Sequence, residues 1–161
     1  MAEPVEFDCS ILTGPPGWAS CSLRVGERSV KIGPFSHALT DGLDDLVRAT
    51  VSIACQGGRA ETFSMDDEPE PRWQWLLKLA RGPELDVVIT RIDDVETMIA
   101  TEVLRATCDP DDFGRAILSG LLRTMSNEPH DQLLKRWSHF PVRAVAALEA
   151  ALAKPPDAAV I

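Results

Sequence analysis

Four carboxylates fall within five residues at Asp66-Asp67-Glu68-Pro69-Glu70, and Arg72 follows Pro71. Carboxylates packed this densely can hold a cation or meet a basic protein surface. A calcium loop needs alternating oxygen ligands, a glycine at its sixth position and a distal glutamate. That pattern is missing, because prolines stand where flexible ligands would be. Pro69 and Pro71 instead stiffen the segment, which lowers the entropy lost when it binds. A solvated hairpin tip, kept acidic for solubility, explains the composition without any function. If the segment is functional, Asp66, Asp67, Glu68, Glu70 and Arg72 are expected to form a surface for a partner protein of basic character rather than a metal site.

The other reactive residue types are scattered. The histidines are His37, His130 and His139. His130 is adjacent to Asp131, but neighbours on a helix point in different directions, and an acid–base pair must be within hydrogen-bond reach. An enzyme site built from His130, His139 and carboxylates is the alternative reading, and it requires the fold to bring distant residues together. No nucleophile elbow, phosphate loop, dinucleotide fingerprint or zinc-protease motif is present, and no cofactor or metal is expected. Cys9, Cys21, Cys55 and Cys108 contain no C-x-x-C pair, so a zinc site is unsupported. They read as small buried thiols. With a hairpin loop over Thr13–Gly17 centred on Pro15, Cys9 would face Cys21 directly and a cross-strand disulfide would be geometrically allowed, although reduced thiols are the expectation. Trp73 and Trp75 share one face of a strand. They read as core beneath the helices, with Trp75 expected to meet Arg91 across the strand pair.

Composition narrows the partners. The 161 residues carry 25 acids against 16 bases, a formal net charge of −9. Nucleic-acid binding needs a basic footprint to neutralise phosphates, and an anionic membrane surface needs one too. Both are disfavoured. A hydrophobic fraction of 45% and a charged fraction of 25% are those of an ordinary globular chain. The first residues show no basic region followed by an apolar stretch, and no apolar run is long enough to span a membrane. A cytoplasmic location is the resulting expectation.

The elements that must position these residues follow from periodicity. Val5–Leu12, Trp18–Val25 and Arg28–Ile32 alternate as a three-stranded meander, which Gly33-Pro34 is expected to end; Leu23 should face Val30. Leu39, Leu43, Leu46, Val47, Thr50 and Ile53 mark a helix that stops at Gly57-Gly58. Glu61–Met65, Arg72–Arg81 and Leu85–Ile92 are strands, with Val87 expected opposite Leu79 and Ile89 opposite Leu77. Val95–Thr107 is read as a long strand, with a helix over 96–106 as the competitor. Asp109-Pro110-Asp111-Asp112 is a strong helix start, carrying Phe113, Ile117, Leu121 and Met125. Two further helices use Leu133, Leu134 and Trp137, then Val145, Leu148 and Leu152. The expected fold is α+β: an antiparallel meander sheet of six to seven strands, one helix inserted between strand groups, and C-terminal helices packed on one face. Residues 1–153 form a single domain and 154–161 a tail.

The run Glu68-Pro69-Glu70-Pro71-Arg72-Trp73-Gln74-Trp75, the strand Leu85–Asp93 and the stretch Phe35–Val47 resemble a pattern in small bacterial α+β proteins, some of which are similar to immunity proteins that neutralise a toxin made by the same cell. The resemblance covers the middle third of the chain and carries no catalytic residues. It implies a non-enzymatic, immunity-type or adaptor protein. A homo-oligomer, such as a homodimer, is the third reading; it would be favoured by an open sheet face carrying Leu76, Val88 and Ile92.

Overall fold

Segments whose apolar residues alternate become strands when one face can be buried. The computed structural model describes residues 3–12, 17–36, 41–66, 71–79, 82–127, 129–137 and 140–153. Its strands are β1 (Val5–Ile11), β2 (Trp18–Val25), β3 (Arg28–Ser36), β4 (Ala60–Asp66), β5 (Arg72–Leu79), β6 (Leu85–Asp94) and β7 (Ile99–Cys108). Helix α1 (Gly42–Cys55) lies between β3 and β4, and α2 (Pro110–Ser126), α3 (His130–Arg136) and α4 (Val142–Leu152) follow β7. The strands form one antiparallel sheet in chain order, the α+β meander that the periodicity predicts.

Two ribbons make up this sheet. β4 pairs with β5 along its whole length, whereas among the described residues the β3–β4 ladder is the Ser36–Asp66 pair. β7 comes back against β2 and β3, where the Arg28 guanidinium donates to the Arg105 carbonyl. Helices α1, α2 and α4 pack on one another, α1 against β4 and α2 against β1. Between helices and sheet lie Leu23, Ile32, Phe35, Leu46, Trp75 and Ile117, all inaccessible to solvent, each contributing roughly 1.5–3 kcal/mol by burial. Helix α2 starts where its sequence directs: the Asp109 carboxylate accepts from the Asp112 amide at 3.1 Å, with Pro110 at the first position.

Helix α2 also closes the outer edge of β1. The Leu12 amide donates to the Trp18 carbonyl and the Gly26 amide to the Pro4 carbonyl. Even-numbered residues of β1 therefore bond β2, and odd-numbered carbonyls point outward, by the alternation of an antiparallel ladder. Two of these outward carbonyls are taken by α2: Phe7 accepts from Arg123 Nη2 at 2.7 Å and Cys9 from Thr124 Oγ1 at 2.7 Å. Gly120 permits the approach, since a Cβ there would lie 2.4 Å from the Phe7 carbonyl oxygen.

Several boundaries differ from the sequence expectation. Gly33-Pro34 does not end the meander: the chain bulges between the Ala19–Phe35 and Cys21–Ile32 pairs and β3 runs on to Ser36. Gly33 takes φ 122° there, a conformation only glycine adopts readily. Strand β5 ends at Leu79, opposite Leu85, so Leu77 faces Val87 and Trp75 faces Ile89. The longer loop slips the expected register by two residues, which leaves every side chain on its face. Residues 95–98 form a turn and 99–108 a strand, so the strand reading holds over most of that segment and the helix does not. In the turn, the Thr97 and Glu96 amides donate to the Asp94 carboxylate at 3.2 and 3.0 Å, and these bonds hold its carboxyl below the usual range. The expected tail, 154–161, lies outside the described residues.

Replacing Gly120 by Ala should push α2 off β1 and destabilise the protein by about 1–3 kcal/mol. Thr124→Val, which orphans the Cys9 carbonyl, should cost about the same. Urea denaturation checks both, and an unchanged midpoint for Gly120→Ala would contradict the close approach.

Candidate functional site

The acidic segment begins inside the sheet. Asp66 is the last residue of β4 and Arg72 the first of β5, and the two are directly paired across the ladder. Asp66 is also the residue through which β4 meets β3, at Ser36. Strand alternation puts Asp66, Arg72 and Ile92 on one face, and Met65, Trp73 and Arg91 on the other. The Asp66 carboxylate is only 2% exposed, while the Arg72 side chain is 40% exposed, its Nε 3.3 Å from Asp66 Oδ1. Neither atom has a hydrogen-bond partner among the described residues, so the contact is charge against charge. A buried carboxylate held this way costs desolvation that its partner must offset.

On the opposite face, the Arg91 guanidinium lies 5.9 Å from the centre of the Trp73 ring, a cation–π contact worth about 0.5–1 kcal/mol. Its Nε is 2.9 Å from Asp93 Oδ1. The expected partner was Trp75; the two-residue register slip substitutes Trp73. Trp75 is fully buried and stacks on Phe63 at 5.4 Å and 20°, so both indoles belong to the core.

Of the five residues read as a partner surface, the structure brings Asp66 and Arg72 together at the base of the segment. Asp67, Glu68 and Glu70 lie outside the described residues. Asp66 is thus part of the sheet and sealed from solvent, not part of a solvated tip. Sequence alone gave no sign of this, because Ser36, its ladder partner on β3, lies thirty residues earlier. For the enzyme alternative, His130 begins α3, its side chain is not described, and His139 lies outside the described residues. Among the described residues no group of three or more His, Cys, Asp or Glu is arranged to hold a metal. Of the face proposed for self-association, Val88 and Ile92 are 9% and 4% exposed and Leu76 is half-buried, so it is not an open apolar patch.

A concave feature that the sequence did not reveal is a groove of about 990 Å³ lined by Asp41, Asp44, Arg48, Phe140, Val142 and Arg143 among others. It runs between α1 and the start of α4, and an Asp44–Arg48 ion pair borders it. Its walls mix both signs of charge with apolar side chains, which selects no ligand class.

Compared with known proteins, the chain matches no family model, no curated protein and no solved structure. What the structure defines is an α+β protein with a seven-stranded antiparallel meander; no helix among the described residues is long and apolar enough to cross a membrane.

The burial difference between Asp66 and Arg72 makes their replacement asymmetric. Arg72→Met strands a buried charge and should cost about 1–3 kcal/mol, less than a fully buried pair would because Arg72 is partly solvated. Asp66→Asn leaves a solvated guanidinium and should cost less. Chemical denaturation of the two variants measures the order, and equal losses would contradict it.

Proposed function

We propose that this chain is a non-enzymatic protein-binding module, of the immunity or adaptor type in a bacterial cytoplasm, that offers the acidic segment between β4 and β5 to a basic surface of its partner. The observation that carries this reading is the Asp66–Arg72 pair at the two strand ends. It fixes the points at which the chain leaves and re-enters the sheet, so Asp67, Glu68 and Glu70 start and finish on a rigid frame. Pro69 and Pro71 restrict the backbone between those points. Pre-organisation of this kind reduces the ordering cost of binding, and three carboxylates on a chain of net charge −9 favour a positively charged partner in encounter and in register.

In this reading Asp66 is a support and the three acids beyond it make the contact. Charge reversal at Asp67, Glu68 and Glu70 to Lys should leave folding intact and reduce recovery of the partner from the native host at least tenfold. Recovery by the unaltered protein should fall steeply with added salt, as expected for exposed charge pairs. Partner recovery unaffected by the triple reversal would remove the segment from the interface.

A further inference from the structure

We propose that Cys9 and Cys21 are an oxidisable pair that closes as a cross-strand disulfide, covalently joining β1 to β2 beneath α2. The two residues are direct partners in the β1–β2 ladder. The pairing parity set by the Leu12–Trp18 and Pro4–Gly26 bonds makes Cys9–Cys21 a non-hydrogen-bonded pair. At such pairs the Cα atoms approach to about 4.5 Å and side chains are closest, within the roughly 4.4–6.8 Å that disulfides span. At a hydrogen-bonded pair the side chains would stand further apart. Both side chains are buried, on the face shared with Phe7 and Leu23, so the two sulfurs are directed to the same side of the ribbon. In the structure both are free thiols.

The surroundings decide when the bond can form. Burial, opposed by a bond from Thr124 and aided by the Asp8 charge, pushes the Cys9 thiol up to about 12, and burial with the neighbouring Cys9 raises Cys21 well above its usual value. The thiolate is the attacking species, so the closed native protein resists oxidation. The bond forms while the hairpin is in register but not yet covered by α2, during folding or on local opening. A small-molecule disulfide is the oxidant. One cysteine thiolate attacks it, forming a mixed disulfide and expelling one small thiolate. The facing cysteine, once deprotonated, attacks the protein sulfur of that mixed disulfide and expels the second. Two protein thiols are oxidised to one disulfide, and one small disulfide is reduced to two thiols. Covered again by α2, the bond is shielded from reductants by the same burial that shields the thiols.

The test refolds the intact chain from urea with and without oxidised glutathione and quenches exchange with acid. The protein is then returned to urea with an excess of alkylating reagent, so that every remaining thiol is blocked, and digested with trypsin. Cys9 and Cys21 lie on one tryptic peptide ending at Arg24, with no earlier Lys or Arg. The expected result with oxidant is this peptide lighter by two hydrogens and unalkylated, while Cys55 and Cys108 are alkylated. The oxidised protein should also melt roughly 5–10 °C higher than the reduced one, since the bond removes loop-closure entropy from the unfolded chain. Alkylation of both cysteines, glutathione retained on either, linkage to Cys55 or Cys108, or a melting temperature equal to or below that of the reduced form would each overturn the proposal. Native oxidised protein treated with reductant should keep the bond far longer than the same protein in urea; equal rates would overturn the shielding by α2.

Discussion

One buried carboxylate stands where the two ribbons of the sheet meet. Among the described residues, β1–β3 and β4–β7 are joined in the ladder through Ser36 and Asp66, and Asp66 is buried with Arg72 as its charged partner. A carboxylate in that position is unfavourable unless its charge is met. The guanidinium therefore does two things together: it stabilises the junction of the ribbons and it fixes the ends of the acidic segment. The helices depend on the same junction, because α1 packs on β4 while α2 packs on β1, and the shared core requires both ribbons to hold their relative position.

The edges of the sheet show how an antiparallel meander avoids pairing with other chains, the usual liability of exposed strands. At β1 part of the edge is consumed internally: Arg123 and Thr124 take the outward carbonyls of Phe7 and Cys9, and Gly120 lets the helix backbone come close. At β7 the protection is local, through the Arg28 guanidinium and a ladder irregularity between Ile89 and Thr90. The exposed large apolar residues among those described, Met98 and Ile99, sit at the adjoining turn.

Much of this was legible in the sequence, for reasons tied to particular residues. Asp109-Pro110 announces α2 because a side-chain cap and a missing amide hydrogen are local requirements. The facing of Cys9 and Cys21, and of Leu23 and Val30, follows from counting alternation away from short turns. What could not be read was set by contacts distant in sequence. Gly33-Pro34 looks like a terminator and is a bulge, because pairing with β2 resumes beyond it. The β5–β6 register slipped by two because the loop length is decided by where Leu79 and Leu85 pair, and with it Arg91 moved from Trp75 to Trp73. The acidity of residues 66–70 suggested a uniformly solvated tip, but a strand pair buries the first of them. The candidate site was therefore legible as a charged segment and not as a segment anchored by its own first member.

The most direct measurement of the clamp is a double-mutant cycle on Asp66→Asn and Arg72→Met, followed by urea denaturation. A clamp predicts that the two changes together cost less than the sum of their separate costs, with a coupling of about 1–2 kcal/mol. Additive losses, with no coupling beyond about 0.3 kcal/mol, would show that the two charges do not hold one another and would contradict the role given to this pair.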